Sequence, residues 1–88
     1  MLHIDITSQF RKDQKRMQKR GADMNKLREV ILLLASEKAL PAKYRDHALA
    51  GEWQGCRDLH IEPDWLLIYE ICGNTLGLAR TGTHADLF

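Results

Sequence analysis

Two histidines, a carboxylate and a guanidinium, His60, Asp64, Arg80 and His84, fall within one stretch of the chain. Imidazole titrates near neutral pH and can act as acid or base, and an arginine clamps an anion. The set could therefore move protons around a negatively charged centre. That requires elements that bring the four together. The run from Trp65 to Ile71 is too short, and too rich in aromatic and branched residues, for a helix bounded by Pro63 and Gly73. It reads as a central strand covered on both faces. Gly73-Asn74 is then a two-residue hairpin turn. With Cys72 facing Thr75 across that turn, Arg80 is expected opposite Leu67 and Thr83 opposite Asp64. The preceding strand, roughly Gly55 to Ile61, reaches the same end of the sheet through Glu62-Pro63. His60, Asp64, Arg80 and His84 should converge at one rim.

Taken singly, each residue also has a plain structural reading. His84 alone is what a tail histidine looks like, His60 and Asp64 bracket a proline turn, and Arg80 fits a solvent-facing strand charge. The conjunction is what points to a site.

The rest of the chain supplies the scaffold. Leu2-His3-Ile4-Asp5-Ile6 alternates as a half-buried strand does. Thr7 or Ser8 can cap a helix over Gln9 to Arg20, where Phe10 and Met17 form a thin buried seam and Gly21 is a left-handed end. Asp23 can cap a second helix whose Leu27, Val30, Ile31 and Leu34 form one apolar stripe, ended by Pro41 at the latest. The two form a hairpin that packs on a sheet. Pro41 to Trp53 shows no period and reads as a long loop, with Lys43 and Arg45 as candidate substrate contacts and His47 near them. Three strands then follow in meander order, roughly 53 to 61, 64 to 72 and 75 to 82.

At 88 residues the chain has room for one small two-layer domain, residues 1–88. Its 44% hydrophobic and 28% charged residues are ordinary for a soluble chain, and no apolar run approaches a membrane span. The net charge of +1 hides an asymmetry: Arg11, Lys12, Lys15, Arg16, Lys19 and Arg20 face a single acid, Asp13, over the first helix. That excess suits a polyanion or an acidic partner. Cys56 and Cys72 form no CxxC pair, no signal peptide is evident, and a cytoplasmic protein with reduced thiols is expected. The histidines show no zinc-like spacing, so neither metal nor cofactor is expected. RNA chemistry fits such a set. The 2′-hydroxyl is a nucleophile already present in the substrate, and the protein need only place a base, an acid and a cation around the phosphate.

Several blocks carry a family likeness: Asp46-His47-Ala48-Leu49, Gly51-Glu52-Trp53, Arg57-Asp58, His60-Ile61-Glu62-Pro63-Asp64-Trp65, Leu67-Ile68-Tyr69 and Arg80-Thr81-Gly82-Thr83-His84. With the element order, they resemble the YafQ branch of the RelE/ParE toxin superfamily over essentially the whole chain. The resemblance implies an α+β fold of order β-α-α-β-β-β, a helical hairpin packed on a mostly antiparallel four-stranded sheet. It further implies a bacterial type II toxin, an mRNA interferase that cleaves translated messages in the A site of the 70S ribosome. A cognate, DinJ-like antitoxin would silence it in a toxin–antitoxin hetero-oligomer. Carried over by position, His84 would be the proton donor and Arg80 the phosphate stabiliser. His47, His60 and Asp64 would contain the base or tune it, and Trp65 and Phe88 would position the RNA. The basic first helix would face ribosomal RNA. The rival reading from another class is a ParE-like toxin that binds a protein target without nuclease chemistry.

Overall fold

Strand β4 (Trp65–Cys72) occupies the centre of the sheet in the computed structural model, which describes residues 1–88. It is flanked by antiparallel β3 (Arg57–Glu62) and β5 (Thr75–Gly82). An edge strand β1 (His3–Ile6) runs parallel to β5, and a two-residue strand β2 (His47–Ala48) runs antiparallel to β3. The order is β1-β5-β4-β3-β2, so the sheet has five strands where four were expected. The fifth lies inside the segment read as a loop, because two residues are too few to show alternation. Short 3-10 turns at Ala42–Tyr44 and Gly51–Trp53 break up the remainder.

Helices α1 (Ser8–Lys19) and α2 (Met24–Ala35) form the expected hairpin, with Gly21 at φ 87° between them. The Thr7 hydroxyl accepts from Phe10 N at 2.9 Å, and Asp23 accepts from Asn25 N at 2.9 Å, satisfying amides that each first turn leaves free. Phe10 and Met17 from α1 and Leu27, Val30 and Leu34 from α2 are buried against Leu59, Ile61, Trp65, Leu67, Tyr69, Leu76 and Leu78 of the sheet. On the other face Leu66 and Ile68 form a smaller cluster with Leu87 of a terminal helix α3 (His84–Leu87). Strand β4 is thus covered on both faces from Trp65 to Tyr69, although Ile71 is exposed near the turn. Strand β1 is more exposed than its alternation suggested, with Ile4 and Ile6 both open to solvent, because only β5 lies beside it. Both cysteines are free, and no helix is long and apolar enough to cross a membrane.

The register near the site departs from the simple hairpin. Pairing follows the turn as far as Tyr69 opposite Leu78, then Ala79 bulges and Arg80 falls opposite Ile68 rather than Leu67. The bulge has a partner of its own, since the Thr7 hydroxyl donates to Ala79 O at 2.8 Å. Strand β1 stops pairing at Leu78, so the amide of Thr81 would lack a strand partner. The Asp13 carboxylate of α1 accepts it at 3.2 Å. A bulge and a helix side chain thereby set the direction in which the end of β5 leaves the sheet.

Candidate active site

Asp58 and His60 are two apart on β3 and share a face, and β2 places His47 directly opposite Asp58. Within the β3–β4 turn lies Asp64, and beyond β5 comes His84, the first residue of α3. The rings of His47 and His60 lie 6.4 Å apart between centroids, and those of His60 and His84 lie 5.6 Å apart. The three imidazoles form one row along the rim.

Each ring is oriented through Nδ1. His47 Nδ1 lies 2.9 Å from Arg45 O, and His60 Nδ1 lies 3.2 Å from Pro63 O. Carbonyl oxygens only accept, so both Nδ1 atoms carry a proton, and Nε2 is the nitrogen that each ring presents outward. His84 Nδ1 is 2.6 Å from Asp64 Oδ1, and the same oxygen accepts from His84 N at 3.0 Å. Those two bonds, the backbone one foremost, hold the Asp64 carboxyl below its ordinary value. A carboxylate that stays ionised behind Nδ1 accepts from that nitrogen and fixes the ring so that Nε2 points away from Asp64.

The loop that presents His47 is anchored from behind. Tyr69 OH donates to Asp46 Oδ1, and Arg57 Nη2 donates to Asp46 Oδ2 at 3.0 Å. Burial, with the Asp46 carboxylate beside it, pushes the Tyr69 hydroxyl pKa far up, so this phenol remains a donor.

Asp58, quoted above only within a family block and given no site role, is buried beneath the row. Its Oδ1 lies 3.0 Å from His47 Nδ1, but that proton points to Arg45 O, and the oxygen has no aligned donor. Burial pushes its pKa up while His47, His60 and His84 pull it back. The signal for it was present: a carboxylate at i−2 from a site histidine on one strand shares its face.

The cationic residues divide into two groups. Arg80 is gripped by the buried Asp13, Nε to Oδ2 at 2.7 Å and Nη2 to Oδ1 at 3.1 Å, leaving Nη1 outside that grip. Arg16 also donates to Asp13, at 2.8 Å. Arg20 makes a two-pronged pair with Asp86 at 2.6 and 3.1 Å. Asp86 in turn accepts from Thr83 N at 2.9 Å, in a reciprocal cap that starts α3 at His84. Of the six basic residues assigned to ribosomal RNA, Arg16 and Arg20 are therefore engaged inside the protein, while Arg11, Lys12, Lys15 and Lys19 face solvent. Lys43 lies over the Tyr44 ring at 5.1 Å, and both it and Arg45 are exposed beside His60. Phe88 is 61% exposed. Trp65 corrects an expectation. It is 2% exposed, with its indole donating to Thr81 Oγ1 at 3.0 Å, so it is a core residue and not an RNA contact. A residue that opens the central strand is covered by the helices. No three His, Cys, Asp or Glu side chains gather around a point where they could hold a metal ion.

The family model described as "Bacterial toxin of type II toxin-antitoxin system, YafQ" matches residues 2–88. The chain belongs to the YafQ family. It is 51% identical over 86 residues to the mRNA interferase toxin YafQ of Escherichia coli K12, covering 97% of this chain and 94% of that one. A crystal structure of E. coli BL21(DE3) YafQ superposes with a TM-score of 0.95 at 48% identity, covering 100% of this chain and 99% of the other. YafQ in the E. coli DinJ-YafQ complex gives 0.93 at 49% identity, with 100% and 99% covered. A metal-bound toxin from Helicobacter pylori gives 0.94 at 43% identity, with both chains covered fully. The α+β YafQ fold and the family expected from the sequence blocks are both borne out, with the fifth strand added.

Proposed function

We propose that this YafQ-family toxin is an mRNA interferase that cuts translated messages in the ribosomal A site without a metal ion. The single observation that carries the reading is the row of imidazoles, each fixed through Nδ1 with Nε2 free, the His60 and His84 ring centroids 5.6 Å apart. That separation suits a base and an acid on opposite sides of one phosphate. His60 Nε2 takes the proton of the 2′-hydroxyl, whose oxygen attacks phosphorus. The bond to the 5′-oxygen breaks, and His84 Nε2 delivers a proton to that oxygen. The products are a 2′,3′-cyclic phosphate and a 5′-hydroxyl. Asp64 orients His84 by accepting at Nδ1 and at the backbone amide, and in this reading it serves the acid while His60 serves as the base. His47, one ring further along, supports His60, and Arg80 faces the phosphoryl charge with Nη1.

Lys43, Arg45 and Phe88 hold the RNA strand, and Arg11, Lys12, Lys15 and Lys19 face ribosomal RNA. The functional unit is the single domain 1–88, and its place of action is the cytoplasm, where ribosomes and mRNA are. E. coli YafQ is solved with DinJ, and a cognate antitoxin of that kind is the partner expected here.

Primer extension on a reporter mRNA in a reconstituted translation reaction tests the reading. Wild type should give in-frame, ribosome-dependent cuts that persist with a transition-metal chelator that spares Mg²⁺. His84→Ala should weaken them at least about 100-fold, within the range for loss of a general acid. Messages left intact by wild type would make a protein-binding toxin the leading account. Cuts that vanish with the chelator would remove the metal-free mechanism alone.

A further inference from the structure

Between α2, the Ala42–Tyr44 turn and the end of β3 lies a cleft of about 440 Å³, lined by Lys26, Glu29, Lys43, Arg45, His60 and Glu62. Buried Tyr44 and Ile61 also line it. Of the three site histidines only His60 borders it, so the cleft runs out from the row on a side that neither His47 nor His84 reaches. Arg45 ties it to the site. Arg45 holds a left-handed conformation, φ 50° and ψ 41°, that non-glycine residues seldom adopt. In this conformation its carbonyl meets His47 Nδ1 while the residue lines the cleft.

The charges narrow the occupant. Lys26 pairs with Glu62 at 2.6 Å and Lys43 lies over Tyr44, whereas the exposed Glu29 and Arg45 side chains have no partner within the chain. A bare anion would meet Glu29 and Glu62, and a bare cation would meet Lys26, Lys43 and Arg45. A nucleotide combines an anionic phosphate with neutral donors on its base, and suits both signs. Adenine, cytosine and guanine present exocyclic amino groups that donate to a carboxylate, while uracil has none, and its one edge donor, N3–H, lies between two carbonyl oxygens that a carboxylate disfavours.

We propose that this cleft recognises the base of the nucleotide on the 5′ side of the cut, with Glu29 selecting amino-bearing bases against uracil and Lys43 and Arg45 holding the backbone. The proposal rests on the ribonuclease reading above. The side follows from the chemistry: the 2′-hydroxyl whose proton goes to His60 belongs to the upstream nucleotide, and the cleft adjoins His60.

The experiment maps 5′ ends on a reporter mRNA library randomised around the cut, with wild type, Glu29→Gln and Glu29→Ala in reconstituted translation. Wild type should cut after A, C or G about tenfold or more in preference to U, the discrimination one good base contact provides. Both Glu29 variants should bring that ratio toward one. Glu29 is exposed on α2, so both variants should unfold at the wild-type temperature. A wild type indifferent to U at that position overturns the proposal, as do variants that keep the bias or shift it only at the 3′ nucleotide. Wild type that cuts nothing sinks the ribonuclease reading and this proposal with it. Wild type that cuts with Glu29 variants of unchanged pattern sinks the cleft alone.

Discussion

Asp13→Asn removes a charge that the structure holds without access to water. The carboxylate accepts from Arg80 Nε at 2.7 Å and Nη2 at 3.1 Å, from Arg16 at 2.8 Å, from Gln9 at 3.1 Å and from Thr81 N at 3.2 Å. Burial on its own would raise the Asp13 pKa, but the hydrogen bonds, that of Arg80 foremost, hold it below the ordinary value. Asparagine keeps the shape and one acceptor, turns an amino group toward donors, and leaves two guanidinium groups without their anion. Breaking a buried pair from one side costs about 3–5 kcal/mol. Arg80 and Arg16 retain 22% and 37% side-chain exposure and regain some hydration, which brings the expectation to about 2–3 kcal/mol. In a domain of this size that is a Tm lower by roughly 10–20 °C at pH 7. The lowered folded pKa also fixes the pH window. The contribution is present above the unfolded carboxylate value of about 3.9 and fades as pH falls through the folded value, so the gap between wild type and variant should close in acid. Thermal unfolding followed by circular dichroism at pH 7 and at steps toward pH 2 measures both. A Tm within about 4 °C of wild type at pH 7, or a gap that persists undiminished in acid, would refute the assignment of Asp13 as the buried anchor of Arg80.

Asp64→Asn keeps an acceptor for the His84 backbone amide but removes the charge behind Nδ1. Cleavage should fall at least about tenfold with Tm nearly unchanged, because Asp64 is exposed; full activity in the variant would remove Asp64 from the mechanism. Asp58→Asn should act in the opposite sense on stability. Its folded pKa is raised by burial, so its charge is a burden on the fold above the unfolded carboxylate pKa, relieved as pH falls through the folded value. The variant should melt slightly higher than wild type at pH 7, and a lower Tm would show that the carboxylate has a paired donor.

The rim was legible because a two-residue turn and a short proline connection leave little freedom in where His60, Asp64 and His84 can go. Arg80 moved by one position because the extra residue, Ala79, is stabilised by Thr7 from the far end of the chain, a contact no local pattern encodes. The same limit applies to the basic helix. Composition counts Arg16 and Arg20 with their neighbours, whereas their acids are Asp13 on the inner seam and Asp86 at the far end of the chain. Asp13 itself was readable, since it sits on the seam between Phe10 and Met17 at helical spacing. Trp65 was misread because an aromatic next to a site residue looks like a stacking platform, and only the position of the helices shows that its face is covered.

Helix α1 thus does more than present charge. Its outward residues Arg11, Lys12, Lys15 and Lys19 are free for a polyanion, while Asp13 fixes Arg80 and Arg20 fixes Asp86, which caps the helix that begins with His84. His47 and His84 lie open at the rim, so precision comes from neighbours that leave each functional group few alternatives. Gly82 shows how closely that end is fitted, because a Cβ there would stand 3.0 Å from Asp86 Cβ and Oδ2. Helix α1 places Arg80 through Asp13 and the start of α3 through Arg20 and Asp86, while the turn after β3 supplies Asp64 to His84 and, with the loop, the carbonyls that orient His47 and His60. The two halves are joined by the Asp64–His84 contact beside the His60–His84 gap, which in the proposed mechanism receives the phosphate.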